Sequence, residues 1–128
     1  NAAIQVMRRA GAVAFDILHS YGFNLDCIVS NRLEGYKDSV HLFVFLGERK
    51  FVLQLTPSNR LSYKFYISKS GAHEMLHDGA FSNSILKAII EYLESERVTI
   101  NRTKKKDNID IANLIRKSRE LESKSAYE

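Results

Sequence analysis

The chain is 128 residues long, with 19 Lys and Arg against 15 Asp and Glu for a net charge of +4, 45% hydrophobic positions, 6 Gly, 1 Pro and 1 Cys. So much apolar sequence at so low a net charge excludes general disorder, and so little Gly and Pro excludes collagen-like and low-complexity chains. The lone Cys27 cannot form an internal disulfide, which fits a reducing, cytoplasmic setting. No apolar run approaches the ~20 residues of a membrane span, so no membrane contact is expected.

The first periodic segment, residues 2–21, sets Ile4, Met7, Ala10, Ala14, Ile17, Leu18 and Tyr21 at three- and four-residue intervals. This predicts an amphipathic helix ending at Gly22. Asp16 and His19 interrupt the stretch after Arg8 and Arg9, so it is not read as a targeting segment. Gly11 weakens such a helix by about 1 kcal/mol relative to Ala unless close packing on a sheet needs the missing side chain. From Asn24 the pattern becomes strand-like, with Leu25, Cys27 and Val29 alternating against Asp26, Ile28 and Ser30.

A turn-rich stretch at 34–38 leads into residues 40–46, apolar on both faces apart from His41, as a central strand requires. Gly47 to Arg49 closes a hairpin into a strand over 50–56, and Pro57 to Asn59 makes the next turn. In the strand over 61–68, Leu61, Tyr63, Phe65 and Ile67 share one face while Ser62, Lys64, Tyr66 and Ser68 share the other. Helical spacing resumes at Ser70, predicting a short helix through Ala72, Met75 and Leu76 that stops at Gly79. Ser82 caps the next helix, lined by Ile85, Leu86, Ile89, Ile90 and Leu93. A short strand at 98–100 is an option, and Asp107 with Asp110 resembles the cap of a last helix through Ile111, Leu114, Ile115 and Leu121.

These elements predict an α+β fold: an antiparallel sheet of about four strands, preceded by one N-terminal helix and followed by two or three helices. Residues 1–128 read as a single domain, with 107–128 as C-terminal helix and polar tail. The order of elements resembles the start of the double-stranded-RNA-binding domain. That family's Gly-rich loop and its Lys pair before the second long helix are absent, and element order alone implies no function.

Three candidate sites follow from the residues. Charge is unevenly placed: residues 97–106 hold Arg97, Arg102, Lys104, Lys105 and Lys106 with no acid. Such a segment can neutralise phosphates without reading sequence, although a charge run also serves simply as a solvated loop. Lys64 and Tyr66 on the polar face of their strand, joined by Gln54, His41 and Phe43 if the strand registers allow, would supply rings on which bases stack. Finally, His73-Glu74-Met75-Leu76-His77 is similar to the His-Glu-x-x-His signature of zinc-dependent metallopeptidases. The resemblance implies His73 and His77 as zinc ligands, Glu74 as general base and Glu91 or Glu94 as third ligand. The plainer reading of that run is a surface helix anchored by Ala72, Met75 and Leu76.

Other chemistry finds no support. Asp38 opens one strand, but the next carries Gln54-Leu55-Thr56 where a nuclease acid-x-Lys would stand. Cys27 with His19 or His41 reads as a small hydrophobe rather than a nucleophile pair. The expectation is therefore a small non-enzymatic binding module, an accessory or regulatory protein on nucleic acid that needs no cofactor. A protein-interaction module acting through the sheet face or last helix, self-association included, is the alternative, and a zinc hydrolase the third reading.

Overall fold

The computed structural model describes residues 2–30, 38–57, 60–102 and 111–126, with side chains at all of these except 102 and 121–126. The chain divides into two compact units, residues 1–81 and 82–128.

The first unit opens with α1 (Ala2–Ser20), followed by β1 (Asn24–Ser30), β2 (Ser39–Leu46), β3 (Arg49–Thr56), β4 (Ser62–Lys69) and β5 (Ala72–Ala80). The five strands form one antiparallel sheet in chain order. Such a meander needs only short turns, and two of its connections hold just two residues, Gly47-Glu48 and Ser70-Gly71. As the spacing predicts, α1 ends at Gly22, where Phe23 N–H reaches back to the Leu18 carbonyl.

The fold class is α+β, with five strands rather than about four. The extra strand is β5, where the helix through Ala72, Met75 and Leu76 was expected. Gly71, at φ 80°, makes the second position of a tight turn that a residue with a Cβ rarely adopts, and the chain folds straight back onto β4. A bulge then places Leu76 between Met75, opposite Tyr66, and His77, opposite Phe65. That extra residue breaks the period-two alternation by which a strand is recognised.

One face of the sheet carries the core of this unit. Cross-strand pairing aligns Val40, Leu42 and Val44 with Leu55, Leu53 and Phe51, and these with Tyr63, Phe65 and Ile67. Phe51, Leu53, Leu55, Tyr63 and Phe65 are at most 1% exposed. On this side α1 packs over β1, β2 and β3, burying Met7, Gly11, Ala14 and Leu18.

Gly11 is where the helix touches the sheet. A Cβ there would lie 2.9 Å from Val40 Cγ1, and Val40 is 2% exposed with a stiff β-branched side chain. The close approach is thus the reason for a glycine in mid-helix. Gly11→Ala is expected to lower stability by about 1–2 kcal/mol, because overpacking outweighs the helix-propensity gain. In a Val40→Ala background the same change should become stabilising. The urea midpoints of the four chains check this.

The second unit consists of α2 (Asn83–Arg102) and α3 (Ile111–Ala126), which pack on each other. Ser82 caps α2, its Oγ accepting from Ile85 N–H at 3.4 Å. The expected stripe of Ile85, Leu86, Ile89, Ile90 and Leu93 is buried, as are Ile111 and Ile115 of α3. The strand suggested at 98–100 is instead helical, within the last turn and a half of α2. There Thr99 Oγ1 donates to the Ser95 carbonyl at 3.0 Å, a bond made only on a helix. Asp107 and Asp110 lie outside the described residues. Among the described residues no helix is long and apolar enough to cross a membrane.

Candidate functional site

The strand registers assemble the other face of the sheet, opposite α1. Paired residues share a side of a sheet, so three rows can be read across the strands. The first runs Ile28, His41, Gln54, Lys64, Asp78; the second Asp26, Phe43, Val52, Tyr66, Met75; the third Asn24, Phe45, Lys50, Ser68, His73. Lys64 and Tyr66 therefore stand beside Gln54, His41 and Phe43. Phe45 joins them, as do Lys50 and His73, which sequence reasoning did not place on this face.

The centre of this face is aromatic and cationic. Lys50 Nζ lies 5.1 Å from the centroid of the Phe43 ring, a cation–π distance. The His41 and Phe43 rings lie nearly parallel with centroids 6.2 Å apart, and the Tyr66 and His73 rings meet at 4.6 Å. Val52 is buried between Phe43 and Tyr66 in its row, giving those rings an apolar base. Phe43 is half-buried, Phe45 and Lys64 are exposed, and Tyr66 keeps only 8% of its surface. The two acids, Asp26 and Asp78, stand on the outermost strands, with Lys50 and Lys64 between them on β3 and β4.

Burial leaves its mark on two of these groups. It raises the Tyr66 phenol above its ordinary 10.0 and lowers the His41 imidazole from its ordinary 6.5. His41 is accordingly a neutral ring at pH 7, with Ser39 Oγ at 3.5 Å from its Nδ1. The folded state resists a proton that the unfolded chain accepts, so the stability this gives is present above about pH 6.5 and lost as pH falls below it. Replacing His41 with Phe should flatten that part of the decline. Melting temperatures of both chains at pH 7.5 and 5.5 measure it, and an equal drop in both would refute the assignment.

The His-Glu-x-x-His run does not form the site its spacing suggests. It lies on β5, and the bulge at Leu76 sends its histidines to opposite faces. His77 pairs with Phe65 on the α1 side, where its Nδ1 is 2.5 Å from the Tyr63 hydroxyl. His73 pairs with Ser68 on the outer face. Two imidazoles on opposite sides of a sheet cannot share one ion, and the helix that would align them is absent. Glu74 is ion-paired with Lys69 at 2.6 Å. Among the described residues no group of three His, Cys, Asp or Glu could hold a metal ion. Cys27 and His41 are likewise on opposite faces, and burial followed by the Asp26 charge raises the Cys27 thiol above its ordinary 9.0, against use as a nucleophile.

The basic segment divides differently from its reading as a loop between helices. Arg97 is within α2 and bonds Glu94 one turn earlier. Arg102 is the last residue of α2, and Lys104, Lys105 and Lys106 lie outside the described residues. No family model, curated protein or solved structure matches the chain. A functional reading therefore rests on the chemistry of the outer face and the placement of charge.

Proposed function

We propose that the chain is a non-enzymatic module that binds single-stranded nucleic acid on the outer face of its sheet, as an accessory or regulatory protein. The observation that carries this is the row-by-row placement of the half-buried Phe43 and His41 rings among Lys50, Lys64 and Gln54, with Tyr66 nearly enclosed as part of their support. Unpaired bases stack on such rings for about 1–3 kcal/mol each, whatever their sequence. Lys50 and Lys64 meet phosphates beside the stacked bases, and Gln54 offers a donor and an acceptor to base edges. The cations of residues 97–106 add sequence-independent attraction to the same polymer. The lone cysteine supports a reducing, cytoplasmic setting for this work.

Titrating a labelled oligothymidylate across a salt series tests the reading. Affinity should fall linearly with salt on logarithmic axes. The double variant Lys50→Gln, Lys64→Gln should reduce that slope by about 1.4, at roughly 0.7 for each phosphate of a single strand that is no longer neutralised. An unchanged slope would remove the sheet face from the interface.

A protein partner on the same face is the second reading, favoured by Phe45, Ile28 and Met75, apolar side chains 39–50% exposed around its margin. It predicts no retention of the oligonucleotide, and a complex with a protein that withstands moderate salt.

A further inference from the structure

The sheet has two edges of unlike character. On β5 the bulge at Leu76, the Lys69–Glu74 ion pair and Asp78 disrupt or charge the ladder, which are the usual protections of an edge. On β1 the strand is regular, and Ile28 and Val29 are 50% and 47% exposed on its two sides. Among the described residues β1 pairs only with β2. Its Cys27 N–H turns away from that partner and is met at 2.9 Å by Asp26 Oδ1 of the neighbouring residue. The backbone groups of Leu25, Cys27 and Val29 therefore face outward.

Beside this edge, on the α1 side, lies an open apolar groove of about 570 Å³ between α1 and β1. Its helical wall carries Arg8 and Asp16 at either end, with the small residues Gly11 and Ala12 midway. Eight residue steps along the helix separate the two charges by about 12 Å. This wall is complementary to its own copy turned end for end: Arg8 meets Asp16, Asp16 meets Arg8, and the small exposed Ala12 lets the two helices approach.

We propose that β1 and α1 form an isologous dimer interface, the occupant of the groove being a second copy of this chain. A dyad perpendicular to the sheet passes beside Ile28 and between the two α1 helices near Ala12. Ile28 then faces Ile28 of the second copy in a non-hydrogen-bonded antiparallel pair, and Cys27 and Val29 exchange backbone bonds with the second copy's Val29 and Cys27. Cys27 N–H passes from Asp26 Oδ1 to a backbone carbonyl. With only β1 competent to pair, assembly closes at two copies rather than growing into a fibre. The interface does not involve the outer face of each sheet and does not depend on what that face binds.

Sedimentation equilibrium of the full chain from about 1 μM to about 1 mM, the range in which transient contacts dissociate, tests the proposal. The expected result is a shift toward twice the 14.6 kDa of the chain. Asp16→Arg sets like charges against each other at both ends of the dyad and should weaken the dimer about tenfold. Adding Arg8→Asp to that variant should restore it. In a Cys27→Ser background, Ile28→Cys should form a disulfide between copies under mild oxidation, since non-hydrogen-bonded pairs lie about 4.5 Å apart at Cα. A chain that stays monomeric throughout overturns the proposal. So does a dimer indifferent to the charge swap that yields no cross-link at residue 28, because another surface would then hold it.

Discussion

Phe43→Leu is expected to weaken binding of a single-stranded oligonucleotide about tenfold while leaving the fold in place, since one stacked base contributes roughly 1–3 kcal/mol. Phe43 is the informative ring because it is half-buried and needs no hydrogen bond, whereas Tyr66 is nearly enclosed and its removal would disturb packing. Leucine keeps apolar volume beside Val52 at a cost below about 1.5 kcal/mol, but it offers neither a π face to a base nor a seat for Lys50. The variant should lose affinity with little change in salt slope, because Phe43 touches no phosphate. Exchange of Lys50 and Lys64 for Gln should lower the slope. Two variants that moved affinity and slope in the same proportion would contradict a surface divided between stacking and charge. The titration used for the native chain, with a urea midpoint for each variant, separates these outcomes.

What the sequence makes legible is what neighbouring residues decide. The end of α1 at Gly22, the Ser82 cap and the strict alternation of Tyr63, Phe65 and Ile67 against Lys64 and Tyr66 are all local, and the structure has each of them. Gly11 could be read as a close approach, but its counterpart, Val40, could not. At residues 70–80 two local signals compete. The spacing of Ala72, Met75 and Leu76 suits a helix, and Ser70-Gly71 suits a tight turn. The turn wins because β4 is there to be paired, which is a non-local fact, and the Leu76 bulge hides the alternation that would have disclosed a strand. At residues 98–100 the opposite happens. Three residues of which two are aliphatic and β-branched, with threonine between them, favour a strand, yet a helix already running from Asn83 extends through them for one added hydrogen bond per residue. The outer face was only half legible for the same reason. Alternation places Lys64 and Tyr66 together, but only the registers of β2, β3 and β5 bring Phe43, Lys50 and His73 beside them.

Phe65→Ala should have the largest effect on stability, about 3–5 kcal/mol. Phe65 is fully buried at the middle of β4, paired with Leu53 on one side and His77 on the other. Its ring lies nearly parallel to that of Phe51, with centroids 6.0 Å apart. Alanine would leave a void that neighbours in two hydrogen-bonded ladders cannot close by side-chain movement alone, which puts the cost at the upper end for such changes. Against a typical total of about 5–15 kcal/mol, much of the folded population is at stake. Function is coupled to this loss through the strand itself, because the residues on either side of Phe65 are Lys64 and Tyr66, which point to the other face. The same side chain that closes the core therefore holds two members of the proposed binding surface in register. Phe65→Leu, which restores most of the volume, should recover most of the stability and with it the affinity. If Phe65→Ala unfolded at the native urea midpoint, the two-sided role assigned to β4 would be wrong. If Phe65→Leu regained stability without regaining binding, the outer face would owe its geometry to something other than the packing beneath it.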